Sequence, residues 1–372
     1  MGPSAAEKGK RHYLLTGATG VIGSAILKRL YQNGEQVSFL IRADSEEHLK
    51  RRLEKLYGYC GIDSEHTPSV VPIRASLLEN HFGLNSKDYA TLANTCTHII
   101  HCAADVNLNR PEDRAIEQTS NISRNMLQMM EDMTAFKKME YVSTIGVAGK
   151  VKGSFQEDWV ADDCQFRNSY ELAKYVSENL VKEKIEDGWN ITVHRPSMVI
   201  GDSESGEIYN FQVFYYICEF LTGRHTFGLI PDFKTFILDT VPIDYVSDVV
   251  YWSSRNEHLS LKILHLVSGE VAVSLNSLAG LVSAMFFEVK KKPKKVSLSL
   301  FKTIIRVLSL LPKTKWTKSL TNLSIFLSYL AENQSFSNQR TLSMLSSSNI
   351  SLPDPEFYIP NSLAFYRRQK SL

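Results

Sequence analysis

Residues 168–174 read NSYELAK. A tyrosine and a lysine four residues apart share one face of a helix. The phenol of Tyr170 ionises near ~10 in isolation. An ammonium one turn away, on Lys174, favours negative charge developing on that phenol and can also hold a cofactor ribose. Such a pair can give a proton to an oxygen on which charge builds during a reaction. A third candidate stands 26 residues before the tyrosine, where YVST ends in Thr144. Open parallel sheets hold their ligands at the carboxyl ends of strands. Alternation points only one of Ser143 and Thr144 toward such a cleft, and Thr144 is the candidate.

These residues need a frame, and the first half of the chain supplies one by strict alternation. HYLLT, QVSFLI, SVVPIR, THIIHCAA, MEYVST and ITVHR read as buried strands. Val21–Asn33, Glu46–Tyr57, Arg114–Met133 and Ser169–Glu186 read as helices between them. Strands alternating with helices give a parallel sheet covered on both faces. On the last of these helices, Tyr170 and Lys174 lie roughly opposite the apolar stripe Leu172, Val176 and Leu180. Past residue 205 the sequence becomes aromatic and weakly periodic. TVPIDYVSDVVYWSS and LKILHLV return to the strand–helix pattern, and from about 271 the chain reads as mostly helical with serine-rich connectors. The expected fold class is therefore α/β: a Rossmann-like, doubly wound parallel sheet with a mostly helical C-terminal subdomain. The expected division is 11–205 with 236–270 for the nucleotide-binding domain, and 206–235 with 271–372 for the substrate-binding subdomain.

TGATGVIG, residues 16–23, follows the first strand and opens the first helix. Gly17 tightens the turn, Gly20 lets backbone approach a pyrophosphate, and Gly23 lets helix and strand pack closely. The free N–H groups of the helix start, around Val21 and Ile22, attract the anion. Thr16 and Thr19 complete the loop. Because the glycines sit between strand and helix within a βαβ unit, they mark a dinucleotide site. At the end of the second strand, an acidic residue would bind the 2′-hydroxyl of NAD and an arginine would accept a 2′-phosphate. This chain has Arg42 there, with Arg51 and Arg52 on the next helix and Asp44 two residues beyond the expected place. The reading is NADPH.

Composition narrows the partners. A formal net charge of +2 makes no global case for nucleic acid. The five cysteines, Cys60, Cys96, Cys102, Cys164 and Cys218, form no CxxC pair. A reducing, cytoplasmic setting fits that pattern better than a disulfide framework or a zinc site. Met1–Lys10 is polar and has no apolar leader region, and no apolar run is long enough for a membrane span. KKKPKK at 290–295 is the one dense positive block. It reads as a solvated loop or as a dock for an acidic partner. VSLSLFKTIIRVLSLL at 296–311 reads as a core or tunnel-lining helix.

Taken together, TGATGVIG, HCAADVN, the serine–threonine pair, YELAK and HRPSMVIGDSESG resemble the extended short-chain dehydrogenases/reductases. LIRADSEEHLKRRL, HCAADVNLNRPEDRAIEQTSNISRNML, RPSMVIGDSESGE and VPIDYVSDVV narrow this. They resemble the branch of thioester reductases, the terminal reductase domains of nonribosomal peptide and polyketide synthases, and of male-sterility-type fatty acyl-CoA reductases. The resemblance covers residues 11–270 well and the last hundred loosely. It implies reduction of an acyl thioester on a carrier protein's phosphopantetheine arm, or on CoA, to an aldehyde; a second hydride transfer would give an alcohol, and the residues leave open whether it occurs. It also implies that Leu77 sits beside the adenine, and Ala103 and Ala104 beside the ribose and nicotinamide. Pro196, Ser197 and Met198 lie along the nicotinamide, and Asn121 is close to the family's active-site asparagine. In one place the chain departs from the pattern. Where the family's third strand leads into Gly-Asp-Leu, this chain has Ala75 and Ser76 before Leu77. One adenine contact is thereby weakened.

Three rivals remain open to the residues alone. Cys102 could capture an acyl group, although a strand cysteine is more often a small core residue. His98 and His101, on the same strand, suit sheet packing better than metal binding. The same fold could reduce a ketone, epimerise a nucleotide sugar or serve as an NADP-binding regulator. The long C-terminal region favours a long, apolar or carrier-borne substrate, and the intact Thr–Tyr–Lys set favours an enzyme.

Overall fold

The computed structural model describes residues 11–63, 68–104, 110–226, 228–233, 236–286, 293–297, 299–301, 303 and 334–370. Its contacts divide into two compact units. The first comprises Met1–Val147, Asn168–Arg195 and Val246–Leu264, and the second Ala148–Arg167, Pro196–Tyr245 and His265–Leu372.

The first unit is built on strands β1 (His12–Thr16), β2 (Gln36–Ile41), β3 (Val70–Arg74), β4 (His98–His101), β5 (Lys138–Val142) and β7 (Ile191–Pro196), with β12 (Ile263–Leu266) completing the sheet. The order across the sheet is β12-β7-β5-β4-β1-β2-β3. The ladders from β3 to β7 are all parallel. Order reverses between β1 and β4, and such a switch point leaves a crevice beyond the strands' carboxyl ends. This is the doubly wound α/β sheet that the alternation implies. β1 is buried along its whole length, as a strand covered on both faces must be. β3 is the edge strand, paired only with β2, so Pro72 sits where a missing N–H is tolerated.

The connecting helices are α1 (Val21–Gln32), α2 (Glu46–Cys60), α3 (Ser86–Thr95), α4 (Glu112–Asp132), α5 (Ser169–Glu186) and α7 (Ile243–Ser254). Gly61, at φ 67°, ends α2 three residues later than the sequence pattern places it. The pattern gives no helix at α3, whose start is nonetheless signalled by Asn85, capping the Asp88 N–H at 2.9 Å.

The second unit carries α6 (Val213–Leu221), α8 (Leu275–Phe286), α9 (Gln339–Leu345) and α10 (Pro355–Lys370). Its strands are short and paired in twos: β6 (Gly153–Phe155) with β15 (Gln334–Phe336), β8 (Met198–Ile200) with β11 (Thr240–Pro242), β9 (Leu229–Pro231) with β14 (Lys294–Val296), and β10 (Ile237–Leu238) with β13 (Val273–Ser274). The aromatic run that breaks the periodicity is core here. Phe211, Tyr215 and Tyr366 meet pairwise with ring centroids 4.6–4.9 Å apart. The division differs from the expected one at 148–167, 196–205, 236–245 and 265–270. Strand pieces in the first three stretches pair within the second unit rather than in the large sheet. No helix of the described residues is long and apolar enough to cross a membrane.

Burial in β4 creates an acid sensitivity. It pushes His98 down to about 4 and His101 down to about 3, against an ordinary histidine value of 6.5. Below that ordinary value the unfolded chain takes up protons that the folded chain refuses. Stability is therefore fully present above it and is lost as the pH falls toward the folded values. The urea midpoint should drop from about pH 7 to about pH 5, and His98→Asn should remove part of the slope. An unchanged slope in that variant would assign the effect elsewhere.

Candidate active site

Helix α5 begins at Asn168, whose Oδ1 accepts the Glu171 N–H at 2.9 Å, and Ser169 ties the same turn to the Arg110 carbonyl at 2.9 Å. Tyr170 is half-buried in this first turn. Lys174, one turn on, is only 2% exposed, and its ammonium donates to the Val142 carbonyl at 3.0 Å. The same ammonium lies 4.8 Å from the centre of the Tyr141 ring. Thr144 stands two residues past the end of β5 and accepts the Gly146 N–H at 3.1 Å. Strand and helix thus bring the three expected residues together.

α5 does not bury its apolar stripe. Its buried residues include Glu171, Lys174, Ser177 and Glu178, while Leu172, Val176 and Leu180 are only half-buried. Glu178 forms a buried ion pair with Arg195 of β7. A helix that puts charges inward is being used to place them.

Burial raises the Tyr170 phenol above its ordinary value; Lys174 and Thr144 pull it back without reversing the direction. The tyrosine is consequently protonated across the neutral range and available as an acid. Burial also lowers the Lys174 ammonium, opposed by Tyr170, Glu178 and Cys102. His101 contributes no charge nearby: it is neutral, bonded through Nδ1 to the Thr16 hydroxyl at 2.8 Å and stacked on Tyr141. Burial pushes the Cys102 thiol up to about 12, which leaves it without nucleophilic thiolate at neutral pH. Among the described residues no group of three His, Cys, Asp or Glu could hold a metal ion.

The glycine loop lies at the switch point. Gly17 has φ 73°, and a Cβ there would meet the Ala103 nitrogen and the Cys102 carbonyl carbon at 2.8 Å. A Cβ on Gly23 would stand 2.1 Å from the Gly17 carbonyl oxygen, whereas one on Gly20 would meet only that oxygen, at 3.1 Å. Gly20 is exposed and caps α1 with no side-chain hydrogen bond, so no side chain takes the donors of the first turn, near Val21 and Ile22. That cradle fits a pyrophosphate. The Thr16 side chain is buried, bridging His101 and the Ala103 N–H, and the half-exposed Ala103 and Ala104 follow β4.

Beside the loop, the Arg52 guanidinium donates to the Thr19 hydroxyl and to the Arg42 carbonyl. Arg42 and Arg51 are exposed, and Asp44 pairs with His48 at 3.4 Å. Arg42, Arg52 and Thr19 form one positive corner suited to a phosphate.

Leu77 is half-buried in a tight turn that carries His81 and Phe82 at φ 52° and 59°. Asn125 of α4 donates to the carbonyls of Leu77 and Glu79 at 2.9 and 3.1 Å. Sequence reasoning missed Asn125, for a polar residue on a helix carries no local sign of a partner 48 positions away. Asn121 accepts from Arg124 at 3.3 Å. Pro196, Ser197 and Met198 belong to the second unit. There the Ser197 N–H donates to Leu266 at 3.0 Å and the Met198 N–H to Asp239 at 3.3 Å. Lys290, Lys291 and Lys292 lie outside the described residues, as do residues 304–311 of the expected helix. Lys294 and Lys295 are exposed on β14, and Lys295 donates to Asn276 at 2.9 Å.

A Rossmann-type sheet with a glycine cradle at its switch point and a Thr–Tyr–Lys set on β5 and α5 defines a nucleotide-dependent enzyme scaffold. Residues 15–250 match the NAD-binding family described as male sterility protein, and the chain belongs to that family. It is 27% identical over 285 residues to a component of the linear gramicidin synthase of Brevibacillus parabrevis, covering 75% of this chain and 6% of that protein. To the aldehyde reductase lnaA of Aspergillus flavus it is 24% identical over 288 residues, covering 73% and 27%. The chain thus spans about a quarter or less of these relatives. Among solved structures, the terminal R domain from the myxalamid PKS-NRPS biosynthetic pathway superposes with a TM-score of 0.81 at 24% identity, covering 99% of this chain and 93% of that one. A thiolation-reductase di-domain from an archaeal non-ribosomal peptide synthetase gives 0.75 at 17%, covering 97% and 76%. At these identities the structures establish the shared fold.

Tyr170→Phe should lower kcat by more than about tenfold, a barrier rise above about 1.4 kcal/mol, with cofactor affinity nearly intact. Cys102→Ser should keep full turnover. An inactive Cys102→Ser would restore the covalent rival, and an active Tyr170→Phe would remove the acid.

Proposed function

We propose that this chain is an NADPH-dependent reductase of acyl thioesters, taking the acyl group from an acyl or peptidyl carrier protein or from CoA and releasing an aldehyde. The observation that carries the reading is the buried Lys174, bonded to the Val142 carbonyl at the carboxyl end of β5 one turn from Tyr170, with Thr144 two residues past the same strand end. Membership of the male sterility family supports it, as do relatives that are peptide synthetases, a polyketide synthase and aldehyde reductases.

Gly17, Gly20, Gly23 and the start of α1 would hold the cofactor's pyrophosphate, and Arg42 with Arg52 its 2′-phosphate. Ala103, Ala104 and Leu77 would border it, with Lys174 on the ribose. When bound, NADPH supplies the hydride. Thr144 and Tyr170 hydrogen-bond the thioester carbonyl oxygen and stabilise the charge that builds there, the role of an oxyanion hole. Tyr170, kept protonated by its burial, gives that oxygen its proton. Lys174, one turn away, would stabilise the phenolate so formed. Loss of the thiol then leaves the aldehyde. The distal half of α5 holds this geometry through the Glu178–Arg195 pair.

The test follows NADPH oxidation with acyl-CoA, acyl-pantetheine and acyl-carrier substrates while trapping aldehyde. Aldehyde formed in proportion to cofactor consumed supports the reading; turnover of ketones alone overturns it. NADPH should be preferred over NADH, and Arg42→Asp should narrow or reverse the preference. Equal kcat/KM for the two cofactors in the parent would remove Arg42 from its role.

A further inference from the structure

Between Thr144 and Tyr170 the chain makes a long excursion, residues 148–167, which belongs to the second unit. Its base is pinched. The Lys150 N–H donates to the Gln165 carbonyl at 2.7 Å, and the Arg167 guanidinium donates to the Gly149 carbonyl. Gly149 is required at this crossing: it has φ 51°, and a Cβ there would stand 2.3 Å from the Gln165 carbonyl oxygen. Thr144 lies five residues before this pinch and Tyr170 three residues after it. Through the covalent chain, the pinch limits where both can be.

A distant segment holds the excursion at two levels. At the base, the Gln334 side-chain amide donates to the Val151 carbonyl at 3.1 Å and the Gly149 carbonyl at 3.4 Å, while its oxygen accepts from Arg167 at 3.1 Å. One amide therefore reads both ends of the excursion. From there β15 runs parallel to β6, and the Ser337 N–H continues the ladder to the Phe155 carbonyl at 2.9 Å. Further out, the Glu157 carboxylate is only 2% exposed. It accepts the Arg340 N–H at 2.7 Å, the Thr341 N–H at 2.9 Å and the Thr341 hydroxyl. These are the free donors at the start of α9, and Asn338, the residue in the capping position, makes no side-chain cap. A carboxylate 184 residues before Thr341 thus does the capping. Arg340 answers by donating to the Glu157 carbonyl at 2.9 Å and to Asp158 at 3.0 Å.

We propose that residues 334–345 form a clasp that fixes the excursion between the two catalytic residues, with Gln334 and Glu157 as positioning residues for proton delivery by Tyr170. The proposal rests on the reductase reading for its activity arm. Gln334 acts through the Gly149 and Val151 carbonyls and Arg167, and Glu157 through the start of α9. Removing the Gln334 amide removes the ties from β15 to both ends of the pinch. Removing the Glu157 charge leaves the α9 donors buried without their acceptor, a loss transmitted along the β6–β15 ladder.

The test uses the full chain with Gln334→Ala, Glu157→Ala and the conservative Glu157→Gln. Three quantities are read for each: kcat and KM with an acyl-CoA, the NADPH dissociation constant, and amide hydrogen exchange across 145–171. Gln334→Ala and Glu157→Ala should lower kcat about ten- to a hundredfold, as small misplacements of reacting groups do. NADPH affinity should stay within about twofold, since the glycine cradle is untouched, and exchange should rise in 145–151 and 165–171. Glu157→Gln should recover most of both effects. A general loss of stability would instead weaken cofactor binding and raise exchange in the β-sheet as well. Unchanged exchange in 145–171, or unchanged kcat with raised exchange, overturns the clasp. If Glu157→Ala fails to fold, Gln334→Ala alone decides the matter. A parent inactive on every acyl thioester refutes the reductase reading, and the exchange arm still judges the clasp.

Discussion

A buried ammonium bonded to a strand-end carbonyl organises the candidate active site. Lys174 gives up water to reach the Val142 carbonyl, and a lone charge in such a place is costly. Its surroundings reduce that cost in specific ways. His101, which would repel it as a cation, is held neutral by burial and bonded to Thr16. The face of the Tyr141 ring stands 4.8 Å away, an attractive partner for a cation. Glu178, one turn further along the helix, supplies the favourable charge. Fixing the lysine fixes the helix that carries the tyrosine.

The same constraint explains why α5 turns a polar stripe inward. Lys174, Ser177 and Glu178 lie where an ordinary amphipathic helix would put leucine, and Glu178 is balanced by Arg195 from the neighbouring strand. The more apolar side, Leu172, Val176 and Leu180, is left half-covered. Stability here gives way to placement, an arrangement expected where perturbed titratable groups gather.

Much of this is legible in the sequence because it is local. The glycine spacing, the strand–helix alternation and Tyr-x-x-x-Lys each occupy one or two turns, and the structure places their residues together at the carboxyl ends of β1, β4 and β5. Arg52 and Thr19 are legible as separate marks, and the structure supplies the hydrogen bond between them. What the sequence hides depends on distant partners. Asn125 meets Leu77 across 48 positions and Glu157 meets Thr341 across 184. No periodicity encodes either. The division of the chain departs from expectation for the same reason: β6 and β8 pair with β15 and β11, which lie far away in the chain. Pro72 shows the converse, since its presence in a strand makes sense only once β3 proves to be an edge.

The long reach between Glu157 and Thr341 also sets an order of assembly. During synthesis, β1 to β7 and the helices between them emerge well before residues 334–345, and domains fold from the amino-terminal side as they appear. The parallel sheet can therefore form while the stretch from Gly149 to Arg167 still lacks its partner strand and the helix that Glu157 caps. Closing so long a loop comes late for entropic reasons as well. For a time the nascent chain holds a completed nucleotide cradle beside an unfinished catalytic excursion, so the two capacities of one polypeptide mature at different moments.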